Sequence, residues 1–234
     1  MILTEKQLLQ SKTKEIAAIF GCGYSINTIT TDEWEFISNN CDTMAFNWFC
    51  LGNVPIIPKY YLAHVQGVYQ SHIDAGYGYE DFHEKLKADI VLILKKEKNK
   101  KRIYAYHENT DRFEKVVVFN PSEVPVDINL ILKNPFEGAY NPRTALGFMM
   151  HIAVFLGYKT IIFYGVDLYD QRYYWCDYDE TWDLINVNNW EHEYRHPHEK
   201  TTVEIVQRAS VITPHIKWVV HNRLSSLAKM IEVK

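Results

Sequence analysis

The chain has 234 residues, 47% of them apolar and 14% aromatic, with a formal net charge of −4. That length buries one sizeable core, as a single domain over residues 1–234 or a domain with a modest lid. The acid excess argues against a nucleic-acid binder, whose phosphate contacts call for a basic surface. No apolar run approaches the roughly 18 residues of a membrane span, and residues 1–16 lack the apolar block of a secretory signal, so a cytoplasmic protein is expected. Cys22, Cys41, Cys50 and Cys176 form no CxxC pair and no regular framework, which suits thiols in a reducing compartment.

Residues 3–13 read as a short helix, followed by a strand over 16–20 and the turn Gly21-Cys22-Gly23-Tyr24-Ser25. A strand running into Gly-x-Gly brings backbone N–H groups close to a phosphate, although a plain tight turn reads equally well here. The third glycine of a dinucleotide fingerprint is absent. A helix near 32–38 precedes strands at 43–47 and 60–65; 68–87 is read as helical and 89–94 as a strand. The run KKEKNKKR at 95–102 is a basic loop, read as a solvated turn with contact to an anionic membrane as the alternative. A strand follows at 115–119.

Residues 143–156 show apolar positions at helical spacing, and 160–164 is a short apolar run bounded by turn residues, as a buried parallel strand requires. Ligands of open α/β sheets lie beyond the carboxyl ends of strands, so Gly165, Asp167 and Tyr169 fall where a nucleotide would be held. Tyr, Trp and Asp crowd residues 169–190, read either as a lid, approximately 170–197, or as a packing cap. A helix starting near Lys200 and a strand at 216–220 complete the order. The alternation of strands and helices indicates an α/β fold: one Rossmann-like, doubly wound, mostly parallel sheet.

Five islands, IFGCGYS at 19–25, AFNWF at 45–49, RTALGFMMHIAVFLGYKTIIFYGVDLY at 143–169, HPHEKTT at 196–202 and IKWVVHNRLSSL at 216–227, together resemble the bacterial lipo-oligosaccharide sialyltransferases of glycosyltransferase family 42, in order and in spacing. The resemblance implies a single Rossmann-like domain with a lid, acting as an inverting, metal-independent glycosyltransferase. Such an enzyme moves sialic acid or a related acidic nonulosonate from a CMP-sugar donor to a glycan acceptor in lipo-oligosaccharide synthesis. No cofactor is implied beyond the CMP-sugar substrate. Family members tend to form tetramers, and a peripheral position at the inner membrane is compatible with the same reading.

On that resemblance His198 aligns with the catalytic base, and an imidazole with an unperturbed pKa near 6.5 is a neutral proton acceptor at cytoplasmic pH. Tyr169 matches the first of two tyrosines that hold the departing phosphate; the second falls near Trp175, where Tyr173 and Tyr174 stand one or two places early. Arg143 and Gly147 match the residues opening the central helix, whose N-terminus favours anionic donor groups. Asn47 matches an asparagine of the nucleotide site, Gln66 replaces a second, and Asn222 matches a late asparagine that serves cytosine recognition or strand-end structure. Gly21, Cys22, Gly23, Ser25, Gly165 and Asp167 complete the donor set, with Asp167 read first as a residue that orients backbone and second as a ligand contact. Cys22, Leu146 and Arg195 depart from the family's polar residues, each removing a contact to sugar or phosphate. Because one lost buried hydrogen bond is worth on the order of 1–3 kcal/mol, donor choice stays open.

Other readings stand beside this one. His192, His196 and His198 invite a metal site, but Pro197 and acidic neighbours promise no further ligand of fixed geometry, and no metal is expected. His198 also reads as a surface histidine ahead of a helix, and Tyr169 as a core tyrosine with a wet hydroxyl. An ATP- and magnesium-dependent relative of the archaeal pterin diphosphokinases and flagellin-glycosylation accessory proteins would need carboxylates such as Asp167 and Asp170 to converge. A non-catalytic nucleotide-binding protein is the third alternative.

Overall fold

A computed structural model describes residues 1–46, 49–50, 52–62, 88–94, 113–120, 127–140, 144–168, 174 and 199–234. The strands are β1 (Ile16–Phe20), β2 (Cys41–Phe46), β3 (Tyr60–Leu62), β4 (Ile90–Leu94), β5 (Val116–Phe119), β6 (Thr160–Tyr164), β7 (Lys217–Val220) and β8 (Glu232–Val233). The helices are α1 (Glu5–Ser11), α2 (Thr31–Asn40), α3 (Ala145–Phe155) and α4 (Glu199–Ile212). The eight strands form one sheet in the order β5-β4-β3-β2-β1-β6-β7-β8, and every pairing is parallel. The anticipated doubly wound sheet is therefore present, and its pairings among the described residues are all parallel.

β1 is the hinge of the topology. It pairs on one side with β2 (Ile16 opposite Cys41) and on the other with β6 (Ile16 opposite Thr160). From β1 the chain steps outward to β5, then returns across the sheet and steps outward again to β8, so the winding reverses between β1 and β6. In such sheets the two connections leave the carboxyl ends on opposite faces and open a crevice at the reversal.

Side-chain alternation along each strand explains the two cores. Ala17 and Ile19 of β1 face the layer holding α3 and α4, while Ala18 and Phe20 face the layer holding α2. α3, whose sequence ALGFMMHIAVF carries one polar residue besides glycine, is buried from Leu146 to Ala153 between the sheet and α4. The polar residue, His151, is satisfied in place: its Nδ1 accepts from the Tyr140 amide at 2.9 Å, and its Nε2 lies 2.9 Å from the Lys133 carbonyl. With Nδ1 accepting, the proton sits on Nε2, and burial holds the ring's pKa below its ordinary value.

The amino ends of the strands are tied by Asp42. Its carboxylate accepts from the Thr13 amide (2.8 Å), the Thr13 hydroxyl (2.6 Å), the Tyr158 hydroxyl (2.8 Å) and the Lys59 ammonium (2.8 Å). Burial pushes this carboxyl up, but the hydrogen bonds from Lys59 and Thr13 outweigh it and hold the group below the usual carboxylate range. At the sheet's β5 edge, Ile2 bridges Val116 in parallel, with the Leu3 amide 2.7 Å from the Val116 carbonyl.

Several boundaries differ from the sequence reading. α2 runs into β2 without a loop, so the strand starts at Cys41 and the helix ends at Asn40. A 3₁₀ turn over Ile128–Leu132 and the two-residue β8 have no counterpart in the sequence reading. The helix expected at 68–87, the basic loop at 95–102 and most of the lid at 170–197 lie outside the described residues. No helix among the described residues is long and apolar enough to cross a membrane.

Candidate functional site

Because all strands run the same way, the segments leaving β1, β6 and β7 emerge on one rim. The turn after β1 and the turn after β6 interlock there. The Gly21 amide donates to the Tyr164 carbonyl at 2.8 Å and the Gly23 amide to the Gly165 carbonyl at 2.8 Å. A Cβ on Gly21 would collide with the Gly165 carbonyl, and one on Gly23 with the Asp167 carboxylate. Gly165 itself has φ +62°, and its turn ends with Leu168 at φ +63°, so Gly165 relieves a left-handed backbone that a side chain would strain.

Asp167 locks the joint. It is 2% exposed and accepts from the Ser25 amide at 2.9 Å, from the Ser25 hydroxyl, and from Asn222 Nδ2 at 2.9 Å. Asn222 in turn accepts the Leu224 amide at 3.0 Å, and the Ser225 hydroxyl donates to the Val166 carbonyl at 2.6 Å. One carboxylate thereby fastens the loops that follow β1, β6 and β7 to one another.

The structure thus brings together six of the residues singled out from the sequence: Gly21, Gly23, Ser25, Gly165, Asp167 and Asn222. Of the two readings the sequence leaves open for the glycines, a phosphate cradle and a plain tight turn, the contacts among the described residues are those of a tight turn packed on its neighbour. The amides of Gly21, Gly23 and Ser25 are spent on the β6 turn, so the bend packs loop against loop at these positions. Among the described residues Asp167 and Asn222 each accept a backbone amide, from Ser25 and Leu224, and they bond to each other. Cys22 lies in the same bend, its thiol 3.6 Å from the Phe46 carbonyl at the end of β2.

Two further candidates sit at the margins. Gly147 is buried in the first turn of α3, where its amide donates to the Thr144 side chain at 3.1 Å, the N-cap of that helix. Tyr174 is 6% exposed; its hydroxyl donates to the Phe49 carbonyl and its amide to the Cys22 carbonyl at 3.2 Å. The structure therefore directs the Tyr174 hydroxyl to backbone, and burial pushes its pKa up. His198, Tyr169, Arg143, Asn47 and Gln66 lie outside the described residues.

A polar cluster absent from the sequence reading adjoins the rim on the α2 face. The Glu33 carboxylate receives the Tyr164 hydroxyl and the Lys234 ammonium, and the His221 ring lies 5.0 Å from that of Tyr164. Burial depresses the His221 pKa, and its Nδ1 is buried without a hydrogen-bond partner among the described residues. The signal for it was slight: a histidine directly ahead of Asn222 and a glutamate in the first turn of α2. Among the described residues no three His, Cys, Asp or Glu side chains are placed to hold a metal ion.

No family model matches the chain, and no curated protein matches it by sequence. The fold, however, matches solved sialyltransferases along most of its length. The sialyltransferase CST-II in complex with a trisaccharide acceptor and CMP aligns with a TM-score of 0.53 at 18% identity, covering 93% of this chain and 85% of that one. CstII from Campylobacter jejuni with the substrate analogue CMP-3FNeuAc aligns with a TM-score of 0.55 at 15% identity, covering 94% and 86%. The monofunctional alpha-2,3-sialyltransferase Cst-I from Campylobacter jejuni aligns at 0.53 and 16%, covering 100% and 82%. The chain has the fold of these enzymes.

Proposed function

We propose that this chain is a glycosyltransferase that moves sialic acid or a related acidic nonulosonate from a CMP-sugar to a glycan acceptor, with inversion at the anomeric carbon and without a metal ion. One observation carries the reading: the interlocked β1 and β6 turns lie at the switch point of the sheet, where such folds hold nucleotides, in a fold shared over most of its length with sialyltransferases solved with CMP or the substrate analogue CMP-3FNeuAc.

In this reaction the bond between the anomeric carbon and the CMP phosphate breaks through an oxocarbenium-like transition state. The acceptor oxygen attacks from the opposite face while a base removes its proton. The sequence contexts of His198, Tyr169 and Arg143 resemble those of the family's base, its phosphate-binding tyrosine and the arginine that opens its central helix. The clamp around Asp167 supplies rigidity, holding the β1 bend so that little ordering remains to be done when the nucleotide binds. A cytoplasmic protein, acting as a homo-oligomer of four chains with peripheral contact at the inner membrane, belongs to the same proposal.

Calorimetry with CMP and CDP, with and without EDTA, tests the donor assignment. Binding that EDTA leaves unchanged is expected, and no cytidine nucleotide binding at millimolar concentration removes the assignment. His198→Ala is expected to retain CMP affinity while abolishing transfer to a glycan; equal loss of both would place that histidine in structure.

A further inference from the structure

Tyr174 is the point where two loops of the rim are joined. Its amide donates to the Cys22 carbonyl at 3.2 Å, and its carbonyl accepts from Asn27 Nδ2 at 3.1 Å, fastening its backbone to the loop after β1. Its side chain goes to the other loop. The hydroxyl donates to the Phe49 carbonyl, the ring packs on Phe49 with centroids 5.6 Å apart, and it lies so close over Gly52 that a Cβ there would collide with it. A second tether holds the same loop from behind, the Cys50 amide donating to the buried Tyr61 hydroxyl at 3.1 Å. The loops after β1 and β2 form adjacent walls of the carboxyl rim, and Tyr174 spans them from backbone to phenol.

A phenol carries one proton, and here a main-chain carbonyl takes it. We infer that Tyr174 is a positioning residue that sets the spacing between the β1 and β2 loops of the donor site, and does not bind the leaving phosphate. The inference rests on the CMP-sugar reading for its functional consequence, while the spacing itself is a property of the fold. Gly52 belongs to the same device: its missing side chain is the space in which the ring sits.

Two substitutions separate positioning from direct contact. Tyr174→Phe removes the hydroxyl's bond to Phe49, and Gly52→Ala pushes the ring out of its seat while leaving the hydroxyl in the chain. Both are expected to weaken CMP binding by a similar factor, about tenfold, the scale of one hydrogen bond or one displaced contact. In transfer assays the change should fall on the donor KM more than on kcat. Alkylation by iodoacetamide, followed residue by residue in the full chain, reads the same loosening without any nucleotide. Cys22 and Cys50, one in each loop, should react about fivefold to tenfold faster in both variants, while buried Cys41, whose thiol pKa is pushed up to about 12, stays at its original rate.

Weaker CMP binding in Tyr174→Phe with none in Gly52→Ala would make the hydroxyl a direct ligand and overturn the inference. Unchanged affinity and unchanged alkylation in both variants would reduce Tyr174 to packing and overturn it as well. A parent protein that ignores CMP sinks the donor reading alone; the alkylation rates then decide whether Tyr174 spaces the two loops.

Discussion

Replacing Asp167 by alanine removes the acceptor shared by the loops after β1, β6 and β7. Two of its three bonds measure 2.9 Å, the third is the Ser25 hydroxyl, and the group is 2% exposed. Each hydrogen bond to a charged partner nets about 1.5–3 kcal/mol, and donors left buried without a partner cost about 1–3 kcal/mol. The three share one carboxylate and do not add, so the expected loss is about 3–5 kcal/mol, a large part of the roughly 5–15 kcal/mol that holds a domain together. Asp167→Asn should cost less, because it keeps the shape and one acceptor. It is not neutral: placed at Oδ1 its NH2 meets Asn222 Nδ2 donor to donor, and placed at Oδ2 it meets the Ser25 amide in the same way; turning Asn222 to relieve the first would give up the Leu224 bond at 3.0 Å. Urea unfolding of both variants measures the difference. A loss below about 1 kcal/mol for alanine, or an asparagine variant as unstable as the alanine one, would refute the clamp.

Three further outcomes are expected. Gly165→Ala should lose about 2–4 kcal/mol in denaturant unfolding, because the left-handed φ of +62° strains any side chain and the new Cβ meets Ile26 at 2.7 Å; Ile26→Val in the same chain should recover part of it. Burial depresses the His151 pKa in the folded chain, so the unfolded chain binds more protons below about pH 6.5 and stability rises with pH there. The contribution is complete above that value and is lost as pH falls through the depressed one; His151→Gln should flatten this part of the urea-midpoint profile, leaving the share from His221, which has the same sign. Asp42→Ala should destabilise by about 3–5 kcal/mol, since it strands Lys59, Thr13 and Tyr158 together, yet leave CMP affinity unchanged, because Asp42 lies at the opposite ends of the strands from the rim.

The parts of the fold visible in the sequence were those with a local cause. β1 and β6 fall at their anticipated residues because each is a short apolar run closed by a glycine, and α3 was visible from its apolar spacing. The passage from α2 to β2 was misplaced because the chain changes from helix to strand between Asn40 and Cys41 with no turn residue to mark it. β8 is too short to carry a pattern, and it exists only because β7 offers it a partner. At the rim the residues were visible, and the contacts between them were not. Gly21 and Gly23 read equally as a cradle for a phosphate and as a tight turn; what approaches them most closely among the described residues is a carbonyl and a carboxylate far along the chain, a contact no local pattern can announce. Tyr174 was singled out for its hydroxyl, and only the neighbouring loops reveal where that proton goes.

The position of β1 has a consequence for how the molecule is made. Its two partners are synthesised at very different times: β2 follows almost at once, but β6, which pairs Thr160 with Ile16, appears only after most of the chain has left the ribosome. At translation rates of about 5–20 residues per second, one side of the innermost strand waits on the order of ten seconds for its neighbour. During that interval the nascent protein holds a half-built sheet with an apolar edge on offer, and its yield in the cell depends on what shields that edge until the second half arrives.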